Sequence, residues 1–242
     1  MLNIIKVKGE QLFNETGAGI IASLLQSNPR ALLGLATGST PVGVYQKLIE
    51  LYRDGVVSFK QASSYNLDEY IGLTEDHPES YRRFMNEKLF NHIDIPLEST
   101  HVPAGHTGDP AQAAADYTRL LEKVGQLDLQ LLGLGHNGHI GFNEPGEELQ
   151  GPTHIVELDE RTRQANARFF PSIEEVPTHA ITMGIGSILQ AKQILLMAKG
   201  EDKAEIVARA LKGPITTKCP ASFLQTHPNV VVVLDQAAGG LV

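Results

Sequence analysis

Thirteen consecutive residues, Gly133 to Pro145, read GLGHNGHIGFNEP and hold four glycines, two histidines, two asparagines and one acid. Glycine lets a backbone turn tightly and approach a ligand closely. Histidine titrates near neutral pH and so can both take and give a proton. A carboxylate such as Glu144 can orient the imidazole of His139 and stabilise its charged form. His136 and His139 as a metal pair would need a helix to aim both rings one way, and the glycines argue against one, so no metal is expected here.

Two further stretches carry candidate chemistry. In Thr37-Gly38-Ser39-Thr40-Pro41, Thr40 is placed to cap a helix whose first position is Pro41. The backbone at Gly38 and Ser39 then faces an anion at the positive end of that helix. No lysine follows at Walker A spacing, and the same residues also make an ordinary β–α turn. In Asn66-Leu67-Asp68-Glu69-Tyr70, adjacent acids after a strand point in different directions and cannot both face one crevice. Asp68, nearer the strand end, is the better base, with a helix cap or a solvated turn as the plain alternative.

These loops need a scaffold. Apolar runs predict strands over 31–36, 63–67, 127–134, 193–198 and 229–234, and the nearly continuous LDLQLLGLG and NVVVVLD suit parallel strands covered on both faces. Amphipathic stretches predict helices over 9–26, 42–53, 80–91, 110–124, 184–190 and 202–211, and the polar segment 157–169 also reads helical. The alternation is that of an α/β fold with a parallel sheet and helices on both faces. Three predicted strands run directly into TGST, DEY and GHNGH, so those loops should converge beyond the carboxyl ends of the sheet.

The 242-residue chain is 42% hydrophobic and 20% charged, ordinary for one globular domain spanning 1–242. The net charge of −8, with no basic run, excludes a nucleic-acid partner of the usual kind. No apolar run is long enough to cross a bilayer and no secretory segment is evident. The lone cysteine, Cys219, can form no internal disulfide. A cytoplasmic location fits.

LGLATGSTP, NLDEY, GLGHNGHIGFNEP and TRQANARFF, in this order and spacing, resemble the glucosamine-6-phosphate deaminase family over nearly the whole chain. The resemblance implies a Rossmann-like fold with a small helical lid at about 150–180. It implies isomerisation and deamination of glucosamine 6-phosphate to fructose 6-phosphate and ammonia, formally as a hydrolase, in amino-sugar catabolism. Asp68 matches the base that moves a proton from carbon 2 toward carbon 1, His139 the residue that opens the sugar ring, and Glu144 the carboxylate that tunes it. Asn137 stands where relatives carry aspartate or asparagine; an amide can orient His139 but cannot share charge.

Gly38, Ser39, Thr40, Arg168 and Lys203 match the phosphate-binding positions. No cofactor and no metal are implied. His154 and Val156 replace the basic effector contacts of allosteric relatives, and the chain stops at Val242, so a monomer or small homo-oligomer without activation by an acetylated sugar phosphate is expected. The family's fold also serves 6-phosphogluconolactonases, set apart by the NEP after GHIGF and by DEY in place of a DER-like motif. It serves sugar-phosphate sensors as well, which would carry a helix-turn-helix segment.

Overall fold

The apolar runs assemble one parallel sheet in the computed structural model, which describes residues 2–167 and 170–242. Its strands are β1 (Leu2–Val7), β2 (Leu32–Leu35), β3 (Ser63–Asn66), β5 (Thr100–His101), β6 (Leu129–Leu132), β9 (Ile194–Ala198) and β10 (Val230–Asp235), in the order β1-β10-β9-β6-β2-β3-β5. Every residue of β6 and β9 is buried, as is every residue of β10 but Asp235. Strands covered on both faces have no polar side to expose.

Helices α1 (Gly9–Ser27), α2 (Ser39–Arg53), α3 (Tyr81–Lys88), α4 (Pro110–Val124), α6 (Ile185–Leu189) and α7 (Ala204–Lys212) connect these strands. From β1 through β2 and β3 to β5 the chain steps one way across the sheet; from β5 through β6 and β9 to β10 it steps back. Right-handed crossovers therefore lay α1, α2 and α3 on one face and α4, α6 and α7 on the other. The direction reverses between neighbours β2 and β6, and the loops leaving them part to form a crevice.

A second sheet of three antiparallel strands, order β4-β8-β7, lies beyond that end: β4 (Asp68–Tyr70), β7 (His154–Glu157) and β8 (His179–Thr182). Between β7 and β8 run α5 (Glu160–Asn166) and a 3-10 turn, Ile173–Glu175. The segment at 150–180 thus carries β7 and the start of β8 as well as a helix, rather than being simply helical. Leu158, Phe170 and Val176 pack with Tyr70, Phe142 and Ala180 in a small core of their own.

The strands β1, β4, β5, β7 and β8 fall outside the five predicted from apolar runs. β5 has two residues and β4 three, too short for a period to show, while His154–Glu157 and His179–Thr182 mix polar and apolar types. Helix α2 begins at Ser39 with Gly38 as its cap, at φ 94°, and no side chain caps it. This displaces Thr40 from the cap. Pro41 sits inside the first turn, where its missing N–H has no intrahelical acceptor. The predicted helix at 80–91 ends at Lys88 and resumes as a 3-10 turn, Phe90–His92. No helix among the described residues is long and apolar enough to cross a membrane.

Candidate active site

At the reversal point a crevice of about 760 Å³ opens, lined by residues 36–40, Asp68, Tyr81, the loop from Gly133 to Phe142, Thr162 and a basic group around Lys203. That volume is within the range usual for small-molecule sites. Three loops meet there as the strand ends implied. Gly38, Ser39, Thr40, Asp68, Asn137, His139 and Lys203 line it, Glu144 stands behind His139, and Arg168 lies outside the described residues.

The loop at 36–40 is set by a buried tyrosine. Tyr45, in α2, donates to Ala36 O at 2.5 Å and accepts from Ala36 N at 3.2 Å, fixing the exit of β2. The chain then enters α2, whose first residues Ser39 and Thr40 line the crevice. Lys203 faces them from the turn before α7, its Nζ donating to Leu134 O at 2.8 Å. Burial pulls its pKa below the ordinary lysine value, with the charge of Asp202 acting the other way. Lys199 and Arg209 line the same side.

The two acids of DEY part company. Asp68 opens β4, pairs in register with Thr182 and lines the crevice. Gly141 lies over it: a Cβ there would stand 3.6 Å from Asp68 Oδ2 and 3.0 Å from Thr182 Oγ1. Glu69 turns away and accepts from the backbone N–H of Tyr70, Tyr81 and Arg82 at 2.8, 2.9 and 2.9 Å, capping α3. Burial pushes the Asp68 carboxyl up to about 8, with the negative charge of Glu69 adding to the shift. Burial likewise raises Glu69 to about 7, against its three N–H donors. A carboxylate whose pKa burial has raised in this way is a strong base once ionised.

The loop from Gly133 to Pro145 is fastened at both ends. Gly135 N–H donates to His139 O and Gly138 N–H to Gly135 O, both at 3.0 Å. Ala221 N–H donates to Gly138 O at 2.8 Å. Phe142 N–H donates to Thr182 Oγ1, and Asn143 Nδ2 reaches Ile140 O and Met183 O. The His139 ring lies on Gly135, where any Cβ would collide with it.

His139 Nδ1 is 3.1 Å from Glu144 Oε1, a charge contact whose N–H does not lie along the line to the oxygen. Thr162 Oγ1 donates to that same Oε1 at 2.7 Å, and Asn137 Nδ2 donates to Oε2 at 2.5 Å. Burial opposes the charge on Glu144, but the close imidazole of His139, then the donors Thr162 and Asn137, hold its carboxyl below the ordinary value. Asn137 was expected to orient His139. Its Oδ1 accepts the His139 backbone N–H at 3.1 Å while its Nδ2 holds the Glu144 carboxylate, so the amide serves both residues. His136 points to Asp202 at 3.5 Å on the rim. Among the described residues no three His, Cys, Asp or Glu side chains gather as a metal site requires.

Sequence reading missed Thr162, Tyr81, Lys199 and Arg209. Lys199 and Arg209 flank Lys203 in the run AKGEDKAEIVAR, a signal available in the strand end after β9. Thr162 sits eighteen residues from its partner, and Tyr81, lodged against Tyr70 and Thr37, gains meaning only from tertiary contact.

An open parallel sheet with acid–base groups and a helix start gathered at its reversal point defines a Rossmann-like α/β enzyme. The chain belongs to the family of glucosamine-6-phosphate isomerases and 6-phosphogluconolactonases, whose sequence model matches residues 10–233. It is 50% identical over 241 residues to a glucosamine-6-phosphate deaminase of Geobacillus sp., covering 100% of this chain and 96% of the relative. A Lachnoclostridium phytofermentans glucosamine-6-phosphate deaminase is 51% identical over 232 residues, covering 96% of this chain and 98% of the relative. The solved structure of a monomeric glucosamine-6-phosphate deaminase superposes with a TM-score of 0.96 at 44% identity, over 99% of this chain and 100% of that one. A 6-phosphogluconolactonase from Trypanosoma brucei shares the fold, with a TM-score of 0.82 at 20% identity over 99% and 98% of the two chains.

Proposed function

We propose that this chain is a glucosamine-6-phosphate deaminase. The observation that carries this reading is the grouping of Asp68 with the His139–Glu144 pair beside the start of α2, in a chain about half identical to proteins of that name over nearly its full length. In the reaction we infer, the backbone at Gly38, Ser39 and Thr40, with Lys203 and Arg168, holds the substrate phosphate. His139, its charge supported by Glu144, passes a proton between the anomeric hydroxyl and the ring oxygen, opening the sugar to its aldehyde. The proton on carbon 2, flanked by the amine and the aldehyde, becomes acidic. Asp68 removes it, giving an enolamine, and a proton returned to carbon 1 gives a ketimine. Water adds to the ketimine and ammonia leaves, yielding fructose 6-phosphate. Water is consumed only in this last step, so the reaction is an isomerisation that ends in deamination.

Asp68 accepts a proton only when ionised, so kcat/KM should climb with pH toward about 8. A monomeric, cytoplasmic enzyme of amino-sugar catabolism, insensitive to N-acetylglucosamine 6-phosphate, is part of the same reading. It is supported by the monomeric solved relative and by His154 and Val156 at the positions of the basic effector contacts. The test is incubation with glucosamine 6-phosphate, following ammonia and fructose 6-phosphate, with 6-phosphogluconolactone as control. Ammonia release is expected; its absence, with lactone hydrolysed instead, would overturn the assignment.

A further inference from the structure

We propose that Thr162 is a positioning residue for ring opening, the donor through which the segment between β7 and β8 sets the His139–Glu144 pair. The inference rests on the ring-opening role given to that pair above.

Glu144 has three polar partners of different origin. Asn137 and His139 belong to its own loop, whereas Thr162 reaches it from α5, across eighteen residues of sequence. The loop partners leave the carboxylate underdetermined. Asn137 holds Oε2, but His139 approaches Oε1 from a direction its N–H does not follow. Thr162 supplies the aligned bond on Oε1, at 2.7 Å. Its side chain is largely buried in the wall of the crevice.

The moorings of α5 make this contact consequential. Arg163 donates to Ile173 O and Val176 O at 3.1 and 3.2 Å, tying the helix to the turn of its own segment rather than to the parallel sheet. Leu158 and Val176 join Phe142 in the small core, two residues from Glu144. The segment therefore grips the loop through an apolar contact, which keeps it near, and through one hydrogen bond, which sets the carboxylate. Among the described residues, that bond is the only one from α5 to the loop at 133–145. If α5 lifts, Oε1 loses its aligned donor and the imidazolium faces a carboxylate free to turn. Ring opening is thereby coupled to the seating of the segment over the substrate.

The test compares Thr162→Val, which keeps the shape and deletes the hydroxyl, with Thr162→Ser, which keeps the hydroxyl. Thr162→Ala serves as a second deletion should valine not pack. Each is assayed alone and with Glu144→Gln, using glucosamine 6-phosphate. A hydrogen bond to a charged group translates to a loss of about tenfold or more in kcat/KM for Thr162→Val or Thr162→Ala, carried mainly by kcat. The rise of kcat/KM toward about pH 8 should keep its midpoint, because Asp68 sets it and Thr162 acts on Glu144. Thr162→Ser should recover most of the rate. In the Glu144→Gln background the same deletion should cost less than about twofold, since residues acting through one another are not additive.

Wild-type rates in the deletion variants would overturn the proposal, as would equal losses with and without Glu144, or a serine variant as impaired as valine. An inactive wild-type enzyme would instead sink the assigned reaction, so the two failures are distinguishable.

Discussion

The parallel sheet and the three-stranded sheet meet at the crevice but are built on different terms. β6, β9 and β10 are buried on both faces and bound into a seven-stranded array, and their polar duties fall to the loops after them. β4 carries two acids inside three buried residues, and β7 is nowhere fully buried. The small sheet is held by aromatic packing, Tyr70 against Tyr81 at 4.8 Å and against Phe142 and Phe170 at 5.9 Å. Apolar burial gives the parallel sheet rigidity, which suits fixed backbone donors aimed at an anion. The small sheet tolerates costly groups, and Asp68 is the costliest of them. On the proposed mechanism, anion binding and proton abstraction then rest on different supports.

That division can be broken by experiment. Asp68→Asn should lower kcat by about 10²–10⁴-fold, the usual worth of a positioned base, while leaving KM nearly unchanged. Steady-state kinetics would show it, and retention of near-wild-type turnover would remove Asp68 from the mechanism. Lys203→Met should do the reverse, raising KM by about tenfold or more, the worth of one charge-assisted contact, with a smaller change in kcat. If both variants moved both parameters alike, the two supports would not be separate.

Gly135→Ala sharpens the boundary, because it lies on the parallel-sheet side yet touches the ring of His139. A methyl group there must displace the imidazole. We expect kcat/KM to fall by several-fold, about 1 kcal/mol of misplacement, with the midpoint of thermal unfolding close to wild type.

A separate effect concerns stability. The Asp68 carboxyl is raised from its ordinary 3.8 to about 8 in the folded chain. Between those values the folded state keeps a proton the unfolded state has released, so stability declines as pH rises through that window. Asparagine has no such proton. Asp68→Asn should therefore be more stable than wild type at pH 8 and similar near pH 4, with a shallower pH slope in thermal melts. A steeper slope would contradict the burial of an unpartnered carboxyl.

The same contrast governs what the sequence made legible. The runs in β6, β9 and β10 announce themselves because burial on both faces demands apolar residues throughout, and Pro110–Val124 matches its prediction to the residue. Loop convergence followed from strand ends alone. The small sheet stayed hidden because Asp68–Tyr70 has no period to read and its stability comes from aromatic partners far away in sequence. The site divided along the same line. His139 and Glu144 stood out through the density of glycine and polar residues around them, and Asp68 through its place at a strand end. Thr162 did not, since a threonine in a polar helix gives no sign of what it will touch. Asn137 was recognised as a partner of His139, but its second bond, to Glu144, depends on loop geometry that a residue list does not contain.

The reversal of chain direction between β2 and β6 has a consequence for how this scaffold diversifies. The helix start at Gly38–Thr40 and the loop bearing His139 and Glu144 leave β2 and β6, neighbours on either side of the seam, as two separate loops. A substitution in one need not disturb the backbone of the other. A lineage could thus explore new reactions by rewriting one loop and the segment that reaches it, which is the breadth the family's two named activities display.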